Sequence, residues 1–338
     1  MHSFLKALAD VMSHRNISKI PERLAPLSED NFIAFLEEMH LREPLDTSFL
    51  EKSGVSQEDV DQLLERINHD MSEVLSRTSN TSHVIRVENR NFVGMGGLNS
   101  MGNQNLLAVS GCAAIVYFGD AVYKYPLNEI FELMMDPELK NHRRAEDLLE
   151  EWEACDIPEK FRNKFGIPEL QHKDGIYRMQ YVGRSLDIVA LQKIITAIDP
   201  DINTRLQHYN PYLDSLEHIP PVQVIRLMKE IIFHNMPQLR DDSIDYGEML
   251  AIILNSENPC ISQDHYDAFN SFLDFAWNHG FVYRDKIVDN LTLLNGKIYL
   301  IDFGMANSFP PDRPPDRERY LINRENLINR QLRQFIIK

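Results

Sequence analysis

One stretch near the end of the chain places two carboxylates and an amide at the ends of a tight hairpin. It runs from the apolar pair Phe281-Val282 through Tyr283-Arg284-Asp285 to Asn290. An apolar run, an Asn-Gly turn and a second apolar run follow, and the stretch ends at Asp302-Phe303-Gly304. Asn-Gly between apolar runs is a strong short-range signal for a β-hairpin. The pattern therefore predicts that Asp285, Asn290 and Asp302 can hold a divalent metal against phosphate and orient a hydroxyl nucleophile.

This run resembles the catalytic and metal-binding segments of the protein kinase superfamily, whose pattern is H-R-D-L-x-x-x-N followed by D-F-G. The spacing from Asp285 to Asn290 matches that pattern, while Tyr283 replaces its histidine. Ile287 stands where many Ser/Thr kinases carry a basic residue. The resemblance implies that Asp285 acts on the attacking hydroxyl. It also implies that Asn290 and Asp302 hold Mg²⁺ or Mn²⁺ against the phosphates of ATP.

An alternating apolar pattern predicts three strands, at Leu106 to Ser110, Ile115 to Phe118 and Ala121 to Tyr125. The kinase glycine-rich loop would lie over the first turn of this group, where only Gly111 of its three glycines remains. Lys124 occupies the position of the family's phosphate-binding lysine. The resemblance implies that Lys124 contacts ATP and pairs with a helix glutamate. Taken alone, Lys124 has an alternative, less favoured place on an exposed strand face.

The glutamate is expected on a helix from Pro137 to about Ala154. From its distance after Lys124, Glu146 is the first choice and Glu150 the second. The same helix carries His142-Arg143-Arg144. Arg143 and Arg144 either pair with neighbouring acids, which we favour, or form part of an anion-binding site.

A second hairpin is predicted around the turn Lys173-Asp174-Gly175. Its exit, Met179 to Leu186, resembles the kinase hinge. This implies that backbone groups of Gln180, Tyr181 and Val182 pair with the adenine edge, and that all three are nucleotide-binding residues. Asp187 is then either a ribose partner or a helix-capping acid.

Residues 183–312 are expected to form a helical large lobe. Helices are predicted at Leu186 to Ile198, Pro220 to His234 and Asp264 to Asn278, with a polar loop at Pro200 to Pro211. We interpret residues 200–260 as an insertion without an assigned role.

Both ends of the chain lie outside the kinase-like part. Residues 1–80 are expected to be a helical extension packed on the next domain, or a separate partner-binding module. Ser56 and Asp59 resemble a capping box there. Residues 81–105 are predicted to be a linker, although their glycines could be taken for a phosphate loop. Residues 313–338 predict a basic C-terminal helix, which either closes the fold or contacts an anionic membrane.

Charge and composition restrict the class of protein. The net charge of −16 argues against nucleic-acid binding. The three cysteines lack metal-ligand spacing, the N-terminus lacks the order of a signal peptide, and no apolar run is long enough to span a membrane. These features predict a protein of a reducing, cytosolic compartment.

We therefore expect an α+β protein with a bilobal, protein-kinase-like fold over residues 106–312: a small antiparallel β lobe at 106–182, a truncated helical large lobe, and an N-terminal helical extension. The expected activity is ATP- and metal-dependent transfer of the γ-phosphate to a protein hydroxyl, of Ser or Thr rather than Tyr. The alternatives are a catalytically dead kinase-like binding module, a small-molecule or lipid kinase, and a nucleotide transferase.

The compact pattern with unrelated helical flanks also resembles kinase-like effectors that intracellular bacteria such as Legionella secrete into host cells. That resemblance implies a host activator, for example a polyanion such as an inositol phosphate docking on Arg143, Arg144 or the tail arginines.

Overall fold

The computed structural model describes residues 1–39 without 16 and 18, scattered positions from 56 to 69, and residues 106–337. Within the last range it omits 110–112, 119–120, 127–128, 174, 210–214, 220, 241–243, 286–289 and 311. The expected linker, residues 81–105, and Gly111 lie outside the described residues. The described chain is an α+β protein that combines helices with small sheets.

Most of the described residues are helical. The helices are α1 (His2–Ser13), α2 (Glu29–Met39), α3 (Glu129–Ala154), α4 (Leu186–Ile198), α5 (Ile202–Tyr209), α6 (Pro221–Asn235), α7 (Tyr246–Leu254), α8 (Gln263–Asn278), α9 (Arg317–Arg324) and α10 (Arg330–Leu332). A π-helical turn, Glu325–Asn329, joins α9 to α10. Short 3₁₀ turns lie at Glu159–Phe161, Leu216–His218, Pro237–Leu239 and Arg333–Phe335.

The strands form one antiparallel sheet and two smaller sheets. They are β1 (Leu106–Val109), β2 (Ala113–Phe118), β3 (Ala121–Pro126), β4 (Phe165–Gly166), β5 (Leu170–Lys173), β6 (Ile176–Gln180), β7 (Arg184–Ser185), β8 (Phe281–Val282), β9 (Leu291–Leu294), β10 (Lys297–Leu300) and β11 (Asn307–Ser308). The first sheet has the order β1-β2-β3-β6-β5, the second β4-β10-β9-β7, and the third pairs β11 with β8. The predicted early strands and the hairpin before residue 182 are confirmed.

The five-stranded sheet and the helical part of the chain have separate hydrophobic clusters. Val122, Met135 and Tyr177 belong to a small cluster between α3 and the five-stranded sheet. The larger cluster joins α4 to α8 with the second sheet, and it includes Phe4 of α1 and Phe32 of α2. The described N-terminal helices are therefore packed into the main core. Farther on, Ser56 Oγ accepts from Asp59 N at 3.1 Å and Asp59 Oδ2 accepts from Ser56 N at 2.7 Å, as the capping-box pattern predicts.

Two local predictions are wrong. Helix α3 begins at Glu129 and contains Pro137, which was expected to start it. Leu133, whose carbonyl loses its helical partner to the proline, is 71% exposed, so water can replace that hydrogen bond. Residues 202–209, expected in a loop, form α5 because Ile202 and Leu206 lie one turn apart and are both buried. The expected insertion at 200–260 supplies α5, α6 and α7 to the main core.

The hairpin of β9 and β10 forms as predicted. Leu294 pairs with Lys297 across a two-residue turn in which both Asn295 (φ 51°) and Gly296 (φ 73°) are left-handed, as a type I′ turn requires. His265 of α8 holds this turn: its Nε2 lies 2.8 Å from Gly296 O, and its Nδ1 accepts from Ser262 N at 3.0 Å. Nδ1 is then the acceptor and Nε2–H the donor of a neutral imidazole.

This arrangement predicts that acid weakens the fold through His265. Burial lowers the pKa of His265 below 6.5, so the unfolded chain takes up this proton more readily. The stabilisation is complete above pH 6.5 and is lost as the pH falls below it. We expect His265→Gln to remove this part of the pH dependence, and loss of the hydrogen bond to Gly296 O to cost about 1 kcal/mol at neutral pH. Urea unfolding between pH 5 and pH 8 measures it. His2→Gln, at an exposed histidine of α1, is the control and should unfold like the wild type.

Gly183, at the junction between β6 and β7, allows a second close contact. Its φ is +89°, and a Cβ there would lie 2.2 Å from Leu293 O of β9. Gly296 has a similar φ of +73°, but nothing lies within 4 Å of its added Cβ. We expect Gly183→Ala to lower the free energy of unfolding by about 3 kcal/mol, and Gly296→Ala by about 1 kcal/mol from backbone strain alone. Equal losses in urea melts would contradict the backbone clash.

Candidate active site

Lys124 of β3 forms an ion pair with Glu138 of α3. The two side chains are 13% and 15% exposed, and Nζ donates to Oε1. Strand β3 lies between β2 and β6, so Lys124 is held in the middle of the sheet. Little water reaches this pair, which favours a fixed geometry over a mobile surface contact. The alternative of an exposed strand lysine is wrong.

The expected partner of Lys124, Glu146, has a different role. Its Oε1 accepts from Leu170 N at 3.0 Å and lies 3.6 Å from His142 Nε2. Glu146 therefore anchors the start of β5 to α3. Glu150, the second choice, is exposed. The error follows from choosing the glutamate by its sequence distance after Lys124, because Glu138, only 14 residues after Lys124, makes the contact.

Asn290 and Asp285 contact each other at the open end of the β9–β10 hairpin. Asn290 Nδ2 donates to Asp285 Oδ2 at 3.2 Å and to Tyr283 Oη at 3.1 Å. Tyr283, which stands where the kinase pattern has histidine, is 1% exposed. Its buried hydroxyl therefore holds the side-chain amide of Asn290 in place. Since the nitrogen makes both bonds, the oxygen is the ligand that Asn290 would offer to a metal.

Asp302 has a strained backbone. Its φ is +63°, and its Oδ1 accepts from Gly304 N at 2.9 Å. Left-handed backbone costs a residue with a side chain about 1–2 kcal/mol, although aspartate tolerates it better than most. Ile301 N donates to Asn290 O at 2.9 Å, and this bond closes the open end of the hairpin. Asp302 is the next residue, so it lies near the backbone of Asn290. Strain of this kind is concentrated at functional sites.

Helix α3 contacts the Asp302-Phe303-Gly304 segment directly. Asn141 Nδ2 donates to Phe303 O at 3.2 Å and to Ala306 O at 2.6 Å. The Phe303 ring is buried edge-on against the His142 ring, with centroids 4.9 Å apart. His142 Nε2 also lies 2.7 Å from Pro168 O. The helix that pairs with Lys124 therefore also fixes the backbone beside Asp302.

Residues 180–182, for which the sequence predicts a hinge, connect the five-stranded sheet to the β9–β10 hairpin. Val182 O accepts from Thr292 Oγ1 at 2.7 Å, and Gln180 N donates to Glu169 O at 3.3 Å. Asp187 is buried; its carboxylate accepts from Ile188 N at 2.8 Å and from the Tyr246 hydroxyl. Of its two expected roles, the structure favours the helix-capping one. Burial raises the pKa of Asp187.

Of the two arginines considered for an anion site, Arg144 has an acidic neighbour. Arg144 Nη1 lies 3.3 Å from Glu151 Oε1, which is the favoured pairing with a neighbouring acid, and Arg143 is exposed. In the C-terminal helix, Arg324 is buried with its Nη1 2.6 Å from Asp274 Oδ1. Buried Leu332 and Phe335 place the end of this segment in the main core.

The donor set fits a magnesium or manganese site of the kind that phosphate completes. Among the described residues, no three His, Cys, Asp or Glu side chains meet as a self-sufficient metal site. Mg²⁺, however, commonly takes one or two protein oxygens together with water and substrate phosphates. Asn290 and Asp302 would supply one amide oxygen and one carboxylate to such a site.

Sequence reasoning missed Asn141 and His142 as parts of the site. The sequence showed only that both residues belong to a polar helix. No local pattern predicts that a side chain will bond a backbone carbonyl far away in the chain. Glu138, Asn141 and His142 all lie within the predicted helix, and their helical spacing could have indicated a shared face.

Comparison with protein-family models, curated proteins and solved structures gave no match to this chain. Within the part of the chain that the structure describes, no helix is long and apolar enough to cross a bilayer.

Proposed function

We propose that this chain is an atypical, bilobal, protein-kinase-like enzyme that transfers the γ-phosphate of ATP to a protein hydroxyl. One observation carries the proposal: α3 pairs Glu138 with Lys124 and, three residues later, bonds Asn141 to Phe303 O. A phosphate-binding lysine and a metal-binding aspartate segment are thereby attached to the same helix. A chain without phosphoryl chemistry has no evident need for that connection.

Further contacts support the proposal that Lys124, Asp285, Asn290 and Asp302 lie around one site. Ile301, next to Asp302, packs on the small cluster that includes Val122, two residues before Lys124. Asp285 and Asn290 lie at the open end of the same hairpin as Asp302. The expected ATP site would then lie between the five-stranded sheet and this hairpin, with Gln180, Tyr181 and Val182 at its inner edge.

Each side chain has a task in the proposed reaction. Lys124, oriented by Glu138, would neutralise phosphate oxygens, and Asn290 and Asp302 would hold Mg²⁺ or Mn²⁺. The metal supplies charge neutralisation at the phosphates. Asp285 would orient the acceptor hydroxyl and take its proton. Tyr283 would keep the Asn290 amide in the orientation that directs its oxygen to the metal.

Radiolabelled ATP tests the proposal against its alternatives. The purified protein is incubated with Mg²⁺ or Mn²⁺ and with ATP labelled at the α- or the γ-phosphate, with and without a eukaryotic cell lysate. We expect protein-bound label from the γ-phosphate alone. Label from the α-phosphate would indicate nucleotide transfer instead. Absence of label in every condition would favour the binding module. If labelling is complete without lysate, the proposed host activator is not needed.

A further inference from the structure

A cavity of about 310 Å³ lies between the Tyr283-Arg284 segment and the C-terminal helix, and the proposed reaction does not use it. Arg284 lines one side, next in sequence to Asp285. Arg319 and Tyr320 of α9 line another, and Leu327 and Ile328 of the π-helical turn add apolar surface. Its volume is at the small end of the range for ligand pockets, which suits a small molecule better than a polypeptide segment.

The cavity carries positive charge in an acidic protein. Arg284 and Arg319 are both exposed, and within the described part of the chain no hydrogen bond or ion pair engages either guanidinium. Arg324 also lines the cavity, but Asp274 neutralises it. The single acidic lining residue, Asp316, accepts from Arg319 N at 3.1 Å and caps α9. Two guanidiniums therefore remain for a ligand, although the chain has a net charge of −16.

Tyr320 provides an independent indication of a ligand. The residue is 7% exposed and its hydroxyl is buried; the neighbouring Arg324 guanidinium can only donate, so the phenol proton has no acceptor. Its ring is fixed by stacking on Trp277, with centroids 4.2 Å apart. Burial raises the pKa of the phenol, so it stays protonated at neutral pH and can donate a hydrogen bond. A buried donor without an acceptor is unfavourable, and an acceptor oxygen on a ligand would relieve this.

We infer that this cavity binds a small phosphate monoester with a compact apolar body. The phosphate would contact Arg284 and Arg319 and accept the Tyr320 hydrogen bond. Guanidinium groups match the geometry of phosphate oxygens, and two of them with one hydroxyl can serve all three terminal oxygens. The organic part would pack on Leu327 and Ile328. The site needs neither ATP nor metal, so ligand binding can be tested independently of the proposed kinase activity.

Phenyl phosphate is the probe, with inorganic phosphate and phenol as its two halves. Calorimetry and thermal unfolding of the full chain should show phenyl phosphate binding at least about tenfold more tightly than either half, with affinity that falls as salt rises. Arg284→Ala and Arg319→Ala should each weaken binding about tenfold or more, because each removes a charge-assisted contact. Arg317→Ala is the matched control: it lies exposed on the same helix, outside the cavity, and should bind as the wild type does.

Tyr320→Phe separates a ligand-binding role from a structural one. The variant removes a buried hydroxyl whose proton has no acceptor in the free protein, so the unliganded melting temperature should stay the same or rise while phenyl phosphate binding weakens.

Three results would each overturn the inference. They are no binding at about 10 mM phenyl phosphate, equal binding by wild type, Arg284→Ala and Arg319→Ala, and binding only of a phosphotyrosine peptide.

Discussion

Asp302→Asn is expected to reduce phosphate transfer by about 1,000-fold or more while the fold is retained. Asparagine tolerates left-handed backbone, and its side-chain oxygen can still accept from Gly304 N. What it lacks is the negative charge that would hold the metal, whose neutralisation of developing charge accounts for several kcal/mol of such a barrier. Alanine at the same position would also add backbone strain, so the asparagine variant gives the cleaner result.

The measurement is γ-label incorporation at saturating Mg²⁺ or Mn²⁺, together with the melting temperature of each variant. Asp312→Asn is the control, since Asp312 is an exposed aspartate later in the same part of the chain. It should label like the wild type. If Asp302→Asn keeps more than about a tenth of the wild-type rate, the metal-binding role of Asp302 is wrong.

The second large effect is expected where β3 meets α3. Lys124→Ala should lower the transfer rate about 100-fold or more, because it removes the positive charge that stabilises the phosphates. Glu138→Gln should lower it about tenfold, since Lys124 would lose its orienting charge. Glu146→Gln keeps the acceptor for Leu170 N and should change the rate by no more than about twofold.

Comparison of the two glutamate variants makes this test specific. Both replace a carboxylate by an amide on the same helix, so a general loss of helix stability would affect them similarly. Steady-state rates and melting temperatures are measured side by side. A larger rate loss in Glu146→Gln than in Glu138→Gln would contradict the observed pairing of Lys124 as the functional one.

Some of this fold follows from local sequence rules. The β9–β10 hairpin was predictable because Asn295-Gly296 can occupy two left-handed positions, and the flanking apolar residues alternate. Helix α8, which precedes Asp285, was predictable from its apolar spacing. Asp285, Asn290 and Asp302 could be selected together because a short hairpin connects them in sequence.

The parts that were missed depend on distant contacts. Proline is commonly found in the first turn of helices, so a local rule places the start of α3 at Pro137. Tertiary packing of Met135 in the small cluster instead favours an earlier start, at Glu129. The Lys124 partner was misassigned for another reason: Glu138 lay inside the predicted helix, but the glutamate was chosen by its sequence distance from Lys124. The cavity between Arg284 and Arg319 joins residues from separate elements, and no pattern within either element reveals it.

The position of α3 has a consequence for how this chain can vary in length. Glu138 and Asn141 reach Lys124 and Phe303 O from one helical face, and successive helical residues are rotated by about 100°. One residue inserted or deleted between them would turn one side chain away while the other kept its partner. The number of residues between positions 138 and 141 must therefore stay constant if both contacts are to form.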